Sequence, residues 1–182
     1  SRNINQPIMI SLDSLTRVNQ KIINPYKIGL GYKMLSQYAG NEIFSKAINE
    51  YIKLNKLKNT GYVSFQDVLK LKTSNNLNWF YNDYLKIKSK GDYSIQKINS
   101  NKQTSSFKIS KSKDYLNFPI LLSFSKNNNV IDEKWLMFKK NDTIVSFENQ
   151  TKTFIEINKN RFVSESNYNN NISSFENFKK PL

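Results

Sequence analysis

The sequence predicts an α+β chain: about four helices over residues 1–90, an antiparallel β-sandwich over residues 91–172, and a tail over 173–182. Three observations predict it. Apolar residues recur at helical spacing from residue 26 to 88 and at a period of two from residue 93 to 158. The five glycines, Gly29, Gly31, Gly40, Gly61 and Gly91, all lie in the first half. Asparagine clusters take over in the second, at Asn127-Asn128-Asn129 and Asn169-Asn170-Asn171.

The first helix is expected over Tyr26–Ala39, where Leu30, Met34, Leu35 and Tyr38 fall on one face. Gly40 ends it, at a position that suits a left-handed residue. Asn41 then caps a second helix carrying Ile43, Phe44, Ala47, Ile48, Tyr51 and Ile52. Beyond the break at Gly61, Ser64-Phe65-Gln66-Asp67 resembles a capping box with Asp in place of Glu, ahead of Val68, Leu69 and Leu71. A fourth helix opens near Asn75-Asn76 and carries Leu77, Trp79, Phe80, Tyr84 and Leu85. Trp79 and Phe80 point about 100° apart on a helix, which suits bridging a core better than an aromatic platform for a substrate.

Six short strands follow. Tyr93, Ile95 and Ile98 mark the first, and Phe107 and Ile109 the second. Tyr115–Phe124 is a longer one, in which Pro119 signals an edge or a bulge. Val130–Phe138 pairs back across a turn at residues 126–129. Ile144, Val145 and Phe147, then Phe154, Ile155 and Ile157, complete the set. Close-spaced short strands with turn signals between them predict an immunoglobulin-like sandwich.

Composition excludes much chemistry. With no His and no Cys among 182 residues, the chain has no imidazole base, thiolate nucleophile, disulfide or zinc finger. No cofactor and no metal ligand set is expected in it. The acidic pair Asp132-Glu133 lacks a second positioned acid and reads as an exposed strand face. The net charge of +14 comes from 28 basic against 14 acidic residues, spread evenly: 14 and 5 in residues 1–90, 14 and 9 in residues 91–182. Only Arg2, Arg17 and Arg161 are arginines, the side chain that reads phosphate and guanine bidentately. Scattered lysines, with Lys139-Lys140 and Lys179-Lys180 in a turn and the tail, argue for a solvated basic surface over nucleic-acid binding. No apolar run approaches a membrane span. The start, Ser1-Arg2-Asn3, carries neither an initiator Met nor a signal core, so a processed or truncated product is expected. A secreted, periplasmic or envelope location is favoured over the cytoplasm, and the Lys, Asn and Ile excess fits an AT-rich bacterial genome.

The order of the segments resembles the C-terminal part of the gluzincin zinc aminopeptidases, the aminopeptidase N type. Pro25-Tyr26-Lys27-Ile28-Gly29-Leu30-Gly31-Tyr32-Lys33-Met34-Leu35 resembles the family's Y-K-P-x-x-G-L-x-M-L helix, with Ile28 in place of Gly or Pro. Gly40-Asn41-Glu42-Ile43-Phe44 leads to Tyr51 as in the family, and Tyr62-Val63-Ser64-Phe65 resembles its lead into a third helix. Asn76-Leu77-Asn78-Trp79-Phe80-Tyr81-Asn82-Asp83-Tyr84-Leu85 is similar to the family's L-x-W-F-F-x-x-W-L, with Tyr84 in place of the second Trp. Asp92-Tyr93-Ser94-Ile95 matches its Tyr-led strand, and Glu165-Ser166-Asn167-Tyr168-Asn169-Asn170-Asn171 its Asn-ended terminus. The likeness covers roughly residues 20 to 172.

The resemblance implies a parent protein that removes N-terminal residues from peptides, with zinc and a catalytic Glu in an upstream domain. The helical part would wall the active-site cleft, the sandwich would brace it, and the chain alone would be inert. Its partners would be that upstream domain and, in the parent, peptide substrates. Tyr26 is the candidate catalytic residue, its hydroxyl stabilising the oxyanion in the complete protein. The commoner family register leaves one residue between Tyr and Lys and would put Pro25 there. The plain alternative is a Tyr that anchors a helix start by packing. As a whole, the chain could instead be a secreted binding module with no enzymatic role, which would present an exposed apolar patch of its own.

Overall fold

A computed structural model describes residues 6–56, 63–88, 91–112, 117–149 and 153–175. Helices come first and two antiparallel sheets follow, the α+β order expected. The chain divides into two compact units, Ile4–Lys86 and Ile87–Leu182.

In the helical unit, α1 spans Asn24–Ala39 and continues without a break from a π-helical stretch, Asn19–Ile23. The helix therefore begins before Tyr26. The apolar pattern conceals this because an inward position is polar: buried Asn19 donates to Thr16 Oγ1 (2.7 Å) and accepts from the Gln6 N–H (3.3 Å). Gly40 ends α1 at φ 96°, a backbone conformation strained for residues with a Cβ. The same glycine occupies the N-cap position of α2, Asn41–Asn55. Asn41 is therefore the first helical residue and not the cap, its side chain accepting from Ser36 Oγ at 2.9 Å.

Helix α3 covers Phe65–Lys70. Ser64 Oγ accepts the Asp67 N–H (3.2 Å), so half of the capping box forms. Asp67 is one methylene shorter than Glu, and its carboxylate takes the Ser64 hydroxyl (2.6 Å) in place of the backbone. Leu71 follows the last helical residue and faces solvent, not the core. Helix α4 is only Asn78–Asn82, followed by a 3-10 turn at Tyr84–Lys86. Five residues cannot hold a helix alone. Packing does it: Phe80, Leu77, Leu69, Leu35, Met34 and Ala47 are all fully buried. Gly61 and Tyr62 lie outside the described residues.

Two glycines of α1 make opposite predictions. A Cβ on Gly31 would sit 2.3 Å from Tyr84 Cε1, whereas nothing lies within 4 Å of one on Gly29. Replacing a helical Gly by Ala gains about 1 kcal/mol of propensity, and forcing atoms into a packed core costs about 1–3 kcal/mol. Urea denaturation should therefore show Gly29→Ala more stable than the parent and Gly31→Ala less stable.

Among the described residues the second unit contains seven strands: β1 Tyr93–Ser100, β2 Thr104–Lys111, β3 Ile120–Lys126, β4 Asn129–Leu136, β5 Asp142–Glu148, β6 Phe154–Ile157 and β7 Ile172–Ser174. One sheet has the order β1-β2-β5 and the other β4-β3-β6-β7. Strands β3 and β4 enclose Asn127 and Asn128, both at positive φ (50° and 65°), the twist a two-residue hairpin needs. Asparagine tolerates that conformation, which is why an Asn run marks the turn. Aromatic pairs join the sheets, Phe107 with Phe175 at 4.9 Å and Phe124 with Phe147 at 4.8 Å.

Three details differ from the sequence reading, and the acidic pair is where it was expected. Pro119 precedes β3, which is paired on both sides and not an edge; there its missing N–H costs no ladder bond. Ile98 sits at a register shift between Lys97 and Asn99 and is exposed. A seventh strand, β7, carries Ser173 and Ser174 into the sheet, and Phe175 enters the core. Asp132 and Glu133 lie on edge strand β4, where charge discourages edge-to-edge pairing. Tyr115 and Lys179-Lys180 lie outside the described residues.

Candidate functional site

The orientation of Tyr26 follows from its neighbours. Pro25, the second residue of α1, directly follows the π-helical stretch Asn19–Ile23, so its missing N–H falls where the regular ladder is already interrupted. Lys27 turns inward, its Nζ donating to the Gln6 carbonyl at 2.7 Å, and burial pushes its pKa down. Tyr84 Oη donates to the Lys27 carbonyl (3.1 Å) while its ring covers Gly31. Lys27 and Gly31, four apart, thus define the inner face, and Tyr26 must stand off it. It is 70% exposed, and among the described residues no hydrogen bond reaches its hydroxyl. Tyr26 does not anchor the helix by packing; Lys27 and Tyr84 do that.

Tyr26 belongs to an outward apolar stripe. Val18, Ile22 and Tyr26 follow one another at four-residue steps and are all exposed, Ile22 to 67%. Gly29 continues the same side. A solvated helix carries polar residues on its outer face. Around this stripe the sequence has only basic charges, Arg17, Lys21 and Lys33, with no acid between Asp13 and Glu42.

Beneath it lies an aromatic cluster. Phe80 stacks on Tyr84 at 5.5 Å and meets Tyr32 at 5.4 Å; Trp79 sets its edge against Tyr38 at 5.4 Å. Burial pushes the Tyr81 phenol up to about 12, with Tyr32 and Asp67 adding repulsion. Burial pushes Tyr84 up as well. These phenols stay neutral near pH 7. They pack the unit.

The sandwich contains a polar node that sequence reasoning missed. Glu165 is 4% exposed. Its Oε2 accepts the Tyr93 N–H at 2.9 Å; its Oε1 accepts from Asn171 Nδ2 at 2.9 Å and from Asn158 Nδ2. Next to it, Asp92 accepts from Ser166 Oγ (3.1 Å), the Asn167 N–H (3.0 Å) and Asn170 Nδ2 (2.9 Å). Ser166 N–H donates to the Gly91 carbonyl at 2.9 Å. Together these bonds anchor residues 91–93, where the chain enters the sandwich. Burial raises the Glu165 pKa and Asp92 adds to the rise, against the pull of its three donors. The only signal in the sequence was a lone acid in an Asn- and Ser-rich stretch. Among the described residues no three acids gather to hold a metal.

No protein-family profile and no curated protein sequence matches the chain. Among solved structures, Legionella pneumophila aminopeptidase A in complex with aspartic acid is similar over 78% of this chain, at TM-score 0.61 and 17% identity. The chain spans 17% of that protein's length. At that identity the likeness bears on fold, and the fold is distantly aminopeptidase-like. The CARDB domain of the PF1109 protein from Pyrococcus furiosus, in complex with di-metal ions, covers 47% of this chain at 12% identity. Its TM-score of 0.33 is too low to carry an argument.

Proposed function

We propose that the chain is a framing module, not catalytic alone, the C-terminal portion of a gluzincin-type zinc aminopeptidase. Its helical unit would wall the cleft and its sandwich would brace the wall. The observation that carries the reading is the outward apolar face of α1 and the helical stretch before it, Val18, Ile22, Tyr26 and bare Gly29, on a chain whose fold is aminopeptidase-like. In that setting an upstream domain of the parent covers the face. The residues of this chain do not fit zinc, since the sequence offers neither imidazole nor thiolate. The metal and the catalytic Glu would belong to the upstream domain, and peptides would be substrates of the parent alone. The same face would equally suit a separate partner of a secreted binding module.

The reading framework upstream separates the two. An H-E-x-x-H helix followed by a further Glu is expected before this segment; its absence would favour the binding module. In the complete protein, Tyr26→Phe should lower kcat about 10²- to 10³-fold with little change in KM, the loss expected for one oxyanion donor. An unchanged kcat would remove Tyr26 from the chemistry and leave the framing role standing.

A further inference from the structure

The Glu165 node contains an atom its hydrogen bonds do not explain. Asn171 is 2% exposed, and its Oδ1 has no hydrogen-bond partner. Its backbone is held at both ends: the Ile157 N–H donates to its carbonyl (2.8 Å), and its own N–H donates to the Tyr168 carbonyl (3.3 Å). The remaining freedom is rotation of the amide. A half-turn exchanges Nδ2 and Oδ1 and brings the unpartnered acceptor to the Glu165 carboxyl.

A neutral carboxyl has one O–H to donate, and the turned amide accepts it. The Tyr93 N–H stays on Oε2, and the Asn158 amide stays on Oε1. Three hydrogen bonds meet the carboxyl in either state, and the turn exchanges an unpartnered Oδ1 for an unpartnered Nδ2, so the bond count does not choose between them. Solvation does. Burial penalises the ionised form, and the Asp92 charge repels it.

We propose that Glu165 and Asn171 form a proton-linked switch: the carboxyl takes up one proton from solvent, the Asn171 amide turns over to accept its O–H, and residues 91–93 stay anchored in both states. Other charged and titratable groups stand around the node. Just before β1, Asp92 is satisfied by its own three donors. On β2, Lys111 stands opposite Tyr93 in the register. After β6, Lys159 pairs with Glu156 (3.6 Å), and Arg161 lies 5.0 Å over the Tyr168 ring. Tyr168 Oη accepts the Glu165 N–H (3.1 Å).

The test is an NMR titration of the whole chain from neutral pH into acid, following the Glu165 side-chain carboxyl carbon and the Asn171 side-chain amide. The Glu165 midpoint should lie above the ordinary 4.5, and the Asn171 amide signals should move with the same midpoint. Glu165→Gln, which is neutral at every pH, should show the acid-state Asn171 signals already at neutral pH. Should that variant not fold, the wild-type titration decides alone. A Glu165 midpoint at or below 4.5, unfolding before Glu165 titrates, or static Asn171 signals would each overturn the switch.

Discussion

Trp79→Ala is expected to cost the helical unit about 3–5 kcal/mol, the loss typical of a large buried aromatic. The side chain is 4% exposed and meets three rings edge-on: Tyr38 at 5.4 Å, Phe80 at 5.7 Å and Tyr84 at 6.4 Å. It sits on α4, five residues whose helical state depends on packing. A domain has only about 5–15 kcal/mol to lose, so the variant should give up a large share of its stability. Helical circular dichroism against urea measures this. A loss within about 0.5 kcal/mol, the range of surface substitutions, would contradict a core role for Trp79.

Glu165→Ala should cost the sandwich about 3 kcal/mol or more. It strands the Tyr93 N–H, the Asn171 amide and one N–H of Asn158, which keeps its bond to the Val163 carbonyl (2.8 Å), and each buried donor left unpaired costs about 1–3 kcal/mol. The penalties are not additive within one network, which sets the lower figure. Direction with pH gives a second check. The folded-state pKa of Glu165 is raised above 4.5, so its titration favours folding fully below 4.5, and that contribution is lost as pH rises through the raised value. The penalty of the alanine variant should accordingly be largest in acid and shrink toward neutrality. A penalty that grows with pH would contradict the raised value.

Much of the fold was legible because period and punctuation agree. The change from helical spacing to alternation locates the junction of the helical and strand regions, and Asn127-Asn128 names its own turn through positive φ. The start of the first helix was hidden because Asn19 takes a buried position that an apolar residue normally holds. Helix α4 looked longer than it is because Tyr84 and Leu85 extend its apolar pattern into a 3-10 turn, and sequence spacing does not distinguish the two. Strand β7 is three residues long, too short for alternation to show.

The candidate site was less legible. Tyr26 is named by its neighbours in sequence, but its outward direction follows from the inward bonds of Lys27 and Tyr84, the latter 57 residues away. The Glu165 node draws on Tyr93, Asn158 and Asn171, and no local pattern brings those together.

The framing role is tested most directly by the purified 182-residue chain itself, assayed for bound zinc and for release of amino acids from aminoacyl substrates with zinc supplied. With no histidine or cysteine to hold the ion, the account predicts substoichiometric zinc and no turnover above the uncatalysed rate. One zinc bound per chain together with sustained turnover, in material free of other peptidases, would contradict it.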